Sequence, residues 1–222
     1  MKSLAARLRT VAPVVLGLAA AGCSGMFHSG ARPEQVYFLR ATVAPSEAGR
    51  PAVEASLRVG HPQAQPGLDS PRIVLVQSDR RMSFYTGSRW PAPAPALVET
   101  LAVETLRASG SWQSVEDSAS PFPSDYILQI AVRRFEADYT SAGPAPQVYV
   151  KLDCIIGRRE GREVVASFVA EGSSVAARNR LADVVAAFES AANAALHSMS
   201  DHALEVVRAA AERQATEHQA TR

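Results

Sequence analysis

The chain has 222 residues but only two cysteines, Cys23 and Cys154, and no surplus of charge: 23 lysines and arginines stand against 22 acidic residues. Two cysteines build no disulfide framework of the kind that staples small secreted domains. The even balance leaves no basic field for nucleic acid. No apolar run reaches the roughly 20 residues that a membrane-spanning helix needs. Catalytic patterns are missing as well: there is no G-x-S-x-G, no H-E-x-x-H and no glycine-rich phosphate loop. Gly87-Ser88-Arg89 and Gly172-Ser173-Ser174 have no visible base partner, and Glu116-Asp117 and Asp125 read as solvated or capping carboxylates. Of the five histidines only His197 and His202 fall close together on one predicted helix, and five residues of helix leave their rings roughly 140° apart, too far to share a metal. The expectation is a protein that is not an enzyme, with no cofactor and no metal.

What is present begins at the N-terminus. Lys2, Arg7 and Arg9 precede an apolar stretch over 11–21, and Ala20-Ala21-Gly22-Cys23 follows at once. Charged, apolar and small-residue zones in that order form a secretory signal, here 1–22. Ala21-Gly22-Cys23 resembles the end of the bacterial lipobox, in which the cysteine thiol takes a diacylglyceryl group before cleavage frees its amine. Ala20 stands where that motif usually has leucine. Cys23 is thus the expected acylated first residue of the mature chain, carrying palmitate-type chains. One chain holds a protein weakly and two hold it stably. An acylated Cys23 also leaves Cys154 no disulfide partner. Ser24 in place of aspartate implies, by the sorting rule of that lipoprotein class, passage to the periplasmic face of the outer membrane.

Residues 23–34 mix Gly, Ser, His and Pro and read as a lipidated tether. A single domain is expected over 35–213, with a polar tail over 214–222. Strands are predicted over 36–40, 53–59, 72–77, 81–86, 126–137, 147–158 and 164–170, from alternation or apolar runs between turn signals. Loops are predicted over 61–71 and 111–124. Leu97, Leu101 and Thr105, beside Val98, Ala102 and Leu106, give a helix over 96–108 that stops at Gly110. An alanine-rich helix follows over 177–199, with Leu181, Val184 or Val185, Phe188, Ala192, Ala195 or Leu196, and Met199 as its apolar stripe; 201–213 reads as a continuation. Val148, Val150, Leu152, Cys154 and Ile156 share one strand face, so Cys154 is expected to be buried and inert. The fold class is α+β: an antiparallel sheet with two main helices packed on one face, and the other face or an edge open to a partner. Between the prolines and the preceding strand, Tyr85, Arg89 and Trp90 form the densest aromatic and cationic group. They serve either as a stacked contact for a partner or, the preferred reading for Tyr85 and Trp90, as a core plug where strand meets helix.

The order of these parts resembles a known family. A lipobox precedes Tyr37-Phe38-Leu39. Tyr85 and Arg89-Trp90 come ahead of prolines and a helix, and Trp112 to Val115 follows that helix. A strand then runs from Ser124-Asp125-Tyr126 to Arg134-Phe135-Glu136, with Val148 to Cys154 and an alanine-rich last helix after it. This is similar to the auxiliary lipoproteins of ABC-type transport systems, among them the outer-membrane lipoprotein of the paraquat-inducible system. The resemblance implies a lipid-anchored subunit working with a permease, an ATPase and a periplasm-spanning protein of the mammalian-cell-entry class. Together these move lipids or other hydrophobic molecules between two membranes, and the lipoprotein docks the periplasmic component at the outer membrane. Self-association is compatible with it. An assembly or pilot lipoprotein for another envelope machine, such as a secretin, is the alternative. The stretch 201–222 is longer than the family pattern.

Overall fold

One strand organises the structure. In the computed structural model, which describes residues 33–42, 52–141 and 143–220, the strand Tyr126–Asp138 has partners along both edges. Cys23, the signal before it and most of the tether lie outside the described residues. In chain order the described strands are β1 (Gln35–Val36), β2 (Val53–Val59), β3 (Gln63–Ala64), β4 (Arg72–Val76), β5 (Met82–Arg89), β6 (Trp112–Glu116), β7 (Tyr126–Asp138), β8 (Gln147–Arg158) and β9 (Glu163–Val175). The helices are α1 (Ala94–Ala108), between β5 and β6, and α2 (Leu181–Ala220), after β9.

Along one edge β7 pairs antiparallel with β8, which pairs antiparallel with β9. Along its other edge it takes β2, β3 and β4 in succession, all parallel. β6 extends the sheet beyond β2, also parallel, while β5 and then β1 extend it beyond β4. The class is α+β as expected, but the sheet is mixed rather than antiparallel. Two of the antiparallel pairs, β4 with β5 and β8 with β9, are joined by short turns. Parallel neighbours need crossovers, and the pairing of Leu57 with Tyr126 joins segments 69 residues apart without any local signal.

Both helices lie on the same face. α2 packs mainly on β9 and β8, and α1 packs on β6 and against α2. The apolar stripe of α2 runs through Val184, Phe188, Ala191, Ala195 and Met199, all buried, at helical spacing. Alanine along this stripe permits close approach. At Gly172 of β9, an added Cβ would lie 2.0 Å from the Ala191 carbonyl oxygen and 2.8 Å from the Ala195 nitrogen, so only glycine fits beneath the helix. α1 buries Leu97, Val98, Leu101, Ala102, Thr105 and Leu106, and Gly110, at φ 61, turns the chain out of it.

Elements differ from the sequence expectation in several places: the loop expected over 61–71 contains β3, and the strand expected over 81–86 runs on to Arg89 as β5. The segment expected as a strand over 36–40 pairs only at Gln35 and Val36. The polar stretch 111–124 contains β6, hidden because its two buried residues, Trp112 and Val115, are three apart and break the alternation. β9 continues to Val175. The last helix starts at Leu181 and is one element to Ala220, across the start of the polar stretch at Gln214.

β7 also holds a bulge that alternation alone does not reveal. Tyr126, Leu128, Ile130 and Val132 are buried, then Phe135 and Ala137, so the inward phase changes from even to odd positions. The register to β8 shifts between Val132 and Arg134. The extra residue turns both Arg133 and Arg134 to the face away from the helices.

Candidate functional site

The group Tyr85, Arg89 and Trp90 sits where β5 ends and the chain turns towards α1. Trp90 is fully buried. Its ring packs edge-on against Phe135 of β7 at 5.9 Å and against Phe188 of α2 at 5.2 Å, and the two phenylalanines are 5.2 Å apart. Three elements therefore meet on one aromatic cluster. With no exposed surface, the Trp90 side chain cannot reach a partner; it is a core residue. Tyr85 is half-buried, and its hydroxyl is 2.8 Å from that of Tyr139, which donates to Asn179 Oδ1 at 2.7 Å. Burial, then the Tyr139 hydroxyl, pushes the Tyr85 phenol far above its ordinary pKa. It is a neutral hydrogen-bonding post rather than a contact face. Arg89 is different. It is partly exposed, with its Nε 2.9 Å from Glu34 and its NH1 3.2 Å from the Trp90 carbonyl oxygen.

Arg89 belongs to a second arrangement that the sequence did not disclose. Residues 34–42 form a strap from the β5 edge onto α2. The Tyr37 amide donates to the Arg89 carbonyl at 2.9 Å. Further on, Glu189, Asn193 and His197 take over, spaced four apart on α2. The Arg40 amide donates to Glu189 Oε2 at 2.9 Å and the Thr42 amide to Asn193 Oδ1 at 2.7 Å. Asn193 Nδ2 donates back to the Arg40 carbonyl at 2.9 Å, and His197 Nε2 lies 2.8 Å from the Thr42 carbonyl. Side chains of a helix thus satisfy backbone groups that a neighbouring strand would otherwise pair. The one available signal was that polar row at four-residue spacing in an alanine-rich helix. His197 is a strap residue, and His202 stacks on Phe168 at 5.4 Å.

The face of the sheet away from the helices has no covering element among the described residues. Across β7, β8 and β9 its rows read Ile127, Gly157 and Val164; then Gln129, Ile155 and Ser167; then Ala131, Asp153 and Val169. Ile155 and Val169 are 38% and 47% exposed. A groove of about 670 Å³ runs here, lined in part by Ile127, Gln129, Ala131, Ile155 and Val169, with His61 at one side. The bulge marks its limit. Arg133 bonds Asp153 at 2.6 Å. Beyond it Arg134 holds Glu136 at 2.7 Å and Asp138 at 2.9 Å and lies over the Tyr149 ring at 4.1 Å.

Cys154 is buried in its β8 row. Burial, with the neighbouring Asp153 charge, pushes its thiol up to about 12, which keeps it un-ionised and inert. Asp125 accepts from the Ser56 hydroxyl at 2.6 Å and the Ser56 amide at 2.8 Å, and these bonds hold its carboxyl below the usual range. It ties β2 to the start of β7. Among the described residues no three His, Cys, Asp or Glu are grouped to hold a metal, and no helix is long and apolar enough to cross a membrane.

A family model described as the ABC-type transport auxiliary lipoprotein component matches residues 37–200. The chain belongs to that family. This auxiliary lipoprotein is similar to protein XCC0632 from Xanthomonas campestris, with 29% identity and a TM-score of 0.73, over 80% of this chain and 99% of that one. A second crystal structure, of an uncharacterized protein, shares the fold at a TM-score of 0.59 and 14% identity, over 79% of this chain and 99% of that one. No curated protein matches. Membership makes the protein a membrane-associated lipoprotein of an ABC-type transport system.

Proposed function

We propose that the auxiliary lipoprotein is anchored through acylated Cys23 to the periplasmic face of the outer membrane. There it docks the periplasm-spanning, mammalian-cell-entry class component of a lipid transporter that a permease and an ATPase complete. On this reading 1–22 is the removed signal and 23–34 the tether. The observation that carries the docking role is the uncovered face of β7, β8 and β9. Both helices lie on one side of the sheet, and the other exposes Ile155, Val164 and Val169 beside a groove bounded by ion pairs. Apolar side chains clustered on an otherwise polar surface mark an interaction site. Arg89 is the member of the sequence group that keeps exposed surface, and arginine is a frequent strong contributor at interfaces.

Capture of the native lipoprotein from detergent-solubilised envelopes tests this. The periplasmic transporter component is expected to co-purify. If none does, the docking role fails, and recovery of a secretin in its place moves the assignment to a pilot lipoprotein. Anchoring is tested separately by fatty-acid labelling of wild type and Cys23→Ser. Label is expected in the wild type alone, and equal label in both removes Cys23 from the account.

A further inference from the structure

We propose that Val36, Phe38 and Arg40 form the face that this protein lays against the lipid headgroup surface. The inference rests on the anchoring of Cys23 proposed above and adds to it an orientation of the domain. Along the strap, alternate side chains point opposite ways. Leu39 is buried, and Tyr37 and Ala41 pack against the core. Val36, Phe38 and Arg40 point outward, and Phe38 is 65% exposed. This exposure is not slack in the chain. The backbone is fixed on both sides of Phe38 by the Tyr37 bond to Arg89, the Arg40 bonds to Glu189 and Asn193, and the Thr42 bonds to Asn193 and His197. A phenylalanine held rigidly in water contributes nothing to the fold.

The composition of the stripe selects the partner. Two apolar side chains followed by a cation match the boundary of a bilayer, where aromatic rings settle at headgroup depth and arginine reaches lipid phosphate. Position on the chain selects it as well. Fully extended, the segment from Cys23 to Val36 reaches no more than about 45 Å. An anchored domain therefore stays beside the membrane at an effective concentration on the order of millimolar, at which a weak second contact is occupied. Phe122 is a built-in comparison. It is just as exposed, at 66%, but lies near Arg58, whose guanidinium reaches the Phe122 carbonyl, far along the chain from the tether.

The acylated full-length protein, reconstituted in vesicles of phosphatidylethanolamine and phosphatidylglycerol, tests the inference. Phe38→Trp and Phe122→Trp each add one exposed indole to the two buried ones, Trp90 and Trp112. With acyl chains brominated near the headgroup, the added emission of Phe38→Trp is expected to fall by about half or more and to be blue-shifted, as an interfacial side chain requires. The added emission of Phe122→Trp is expected to stay open to aqueous iodide. Val36→Trp is a second reporter on the same face and is expected to follow Phe38→Trp. If the vesicles carry the protein on flotation but Phe38→Trp is quenched no more than Phe122→Trp, the orientation is overturned. If the protein does not float with the vesicles, the anchor itself is overturned, and the two failures are thereby told apart.

Discussion

The two faces of β7, β8 and β9 share every backbone hydrogen bond and differ in almost everything else. Towards the helices, Leu128, Ile130, Val132, Val150, Leu152, Cys154, Ile156 and Ala170 are all buried. Away from them, Ile155 and Val169 meet solvent within two residues of those same positions, and beyond the bulge Arg134 gathers Glu136, Asp138 and Tyr149. One face is committed to stability. The other carries apolar surface that the fold does not use, with Ile155, Val164 and Val169 grouped on one side of the bulge. A substitution therefore tells by its effect which face it has struck.

The largest effect is expected on the covered side. Trp90→Ala removes the ring joining β5, β7 and α2 and should lower stability by about 3–5 kcal/mol. Any loss of partner capture should disappear under conditions where the variant is folded. A melting temperature within experimental error of wild type contradicts the cluster. On the uncovered side Ile155→Asp should leave the melting temperature almost unchanged and weaken transporter capture by about 2 kcal/mol, in the range of a strong interface residue. Unfolding of this variant, or undiminished capture, removes the distinction between the faces at that row. Cys154→Ala returns to the covered side with a smaller cost, about 1 kcal/mol for a small truncation, and the wild-type thiol should react with a bulky maleimide only after denaturation.

The smallest effect concerns Asp125, at the end of the sheet. Its carboxyl is held below its ordinary value by Ser56, so its contribution is fully present above the unfolded value of about 3.9 and is lost as pH falls through the lower folded value. The stability difference between wild type and Asp125→Asn, followed by urea unfolding, should hold from neutral pH to about pH 4 and shrink below it. A difference that persists unchanged well below that range contradicts the role of these bonds.

Much of the covered face was legible because local rules govern it. Alternation placed β2 and β8 at the bounds observed, and the i, i+4 rows of α1 named its buried side. Cys154 was placed correctly for the same reason. The uncovered face was legible only as a leftover, because which strands leave it bare depends on parallel pairings such as Val59 with Leu128, made between segments far apart in the chain. The bulge at Arg133 escaped because two adjacent arginines read as an ordinary polar interruption. In the candidate group, aromatic density found Trp90 but could not separate a core ring from a contact ring. The strap escaped because its partners are helix side chains rather than a strand.

α2 has a consequence of a different kind. Among the described side chains its last buried one is Ala210, and the helix runs on to Ala220 as one element. Ten further residues at 1.5 Å each carry its backbone about 15 Å beyond Ala210, with Glu212, Arg213 and Gln214 in solvent. Because α2 is one element from Leu181, with Met199, Ala203, Val207 and Ala210 buried along it, the C-terminal end is carried on a shaft that stays packed on the domain up to Ala210.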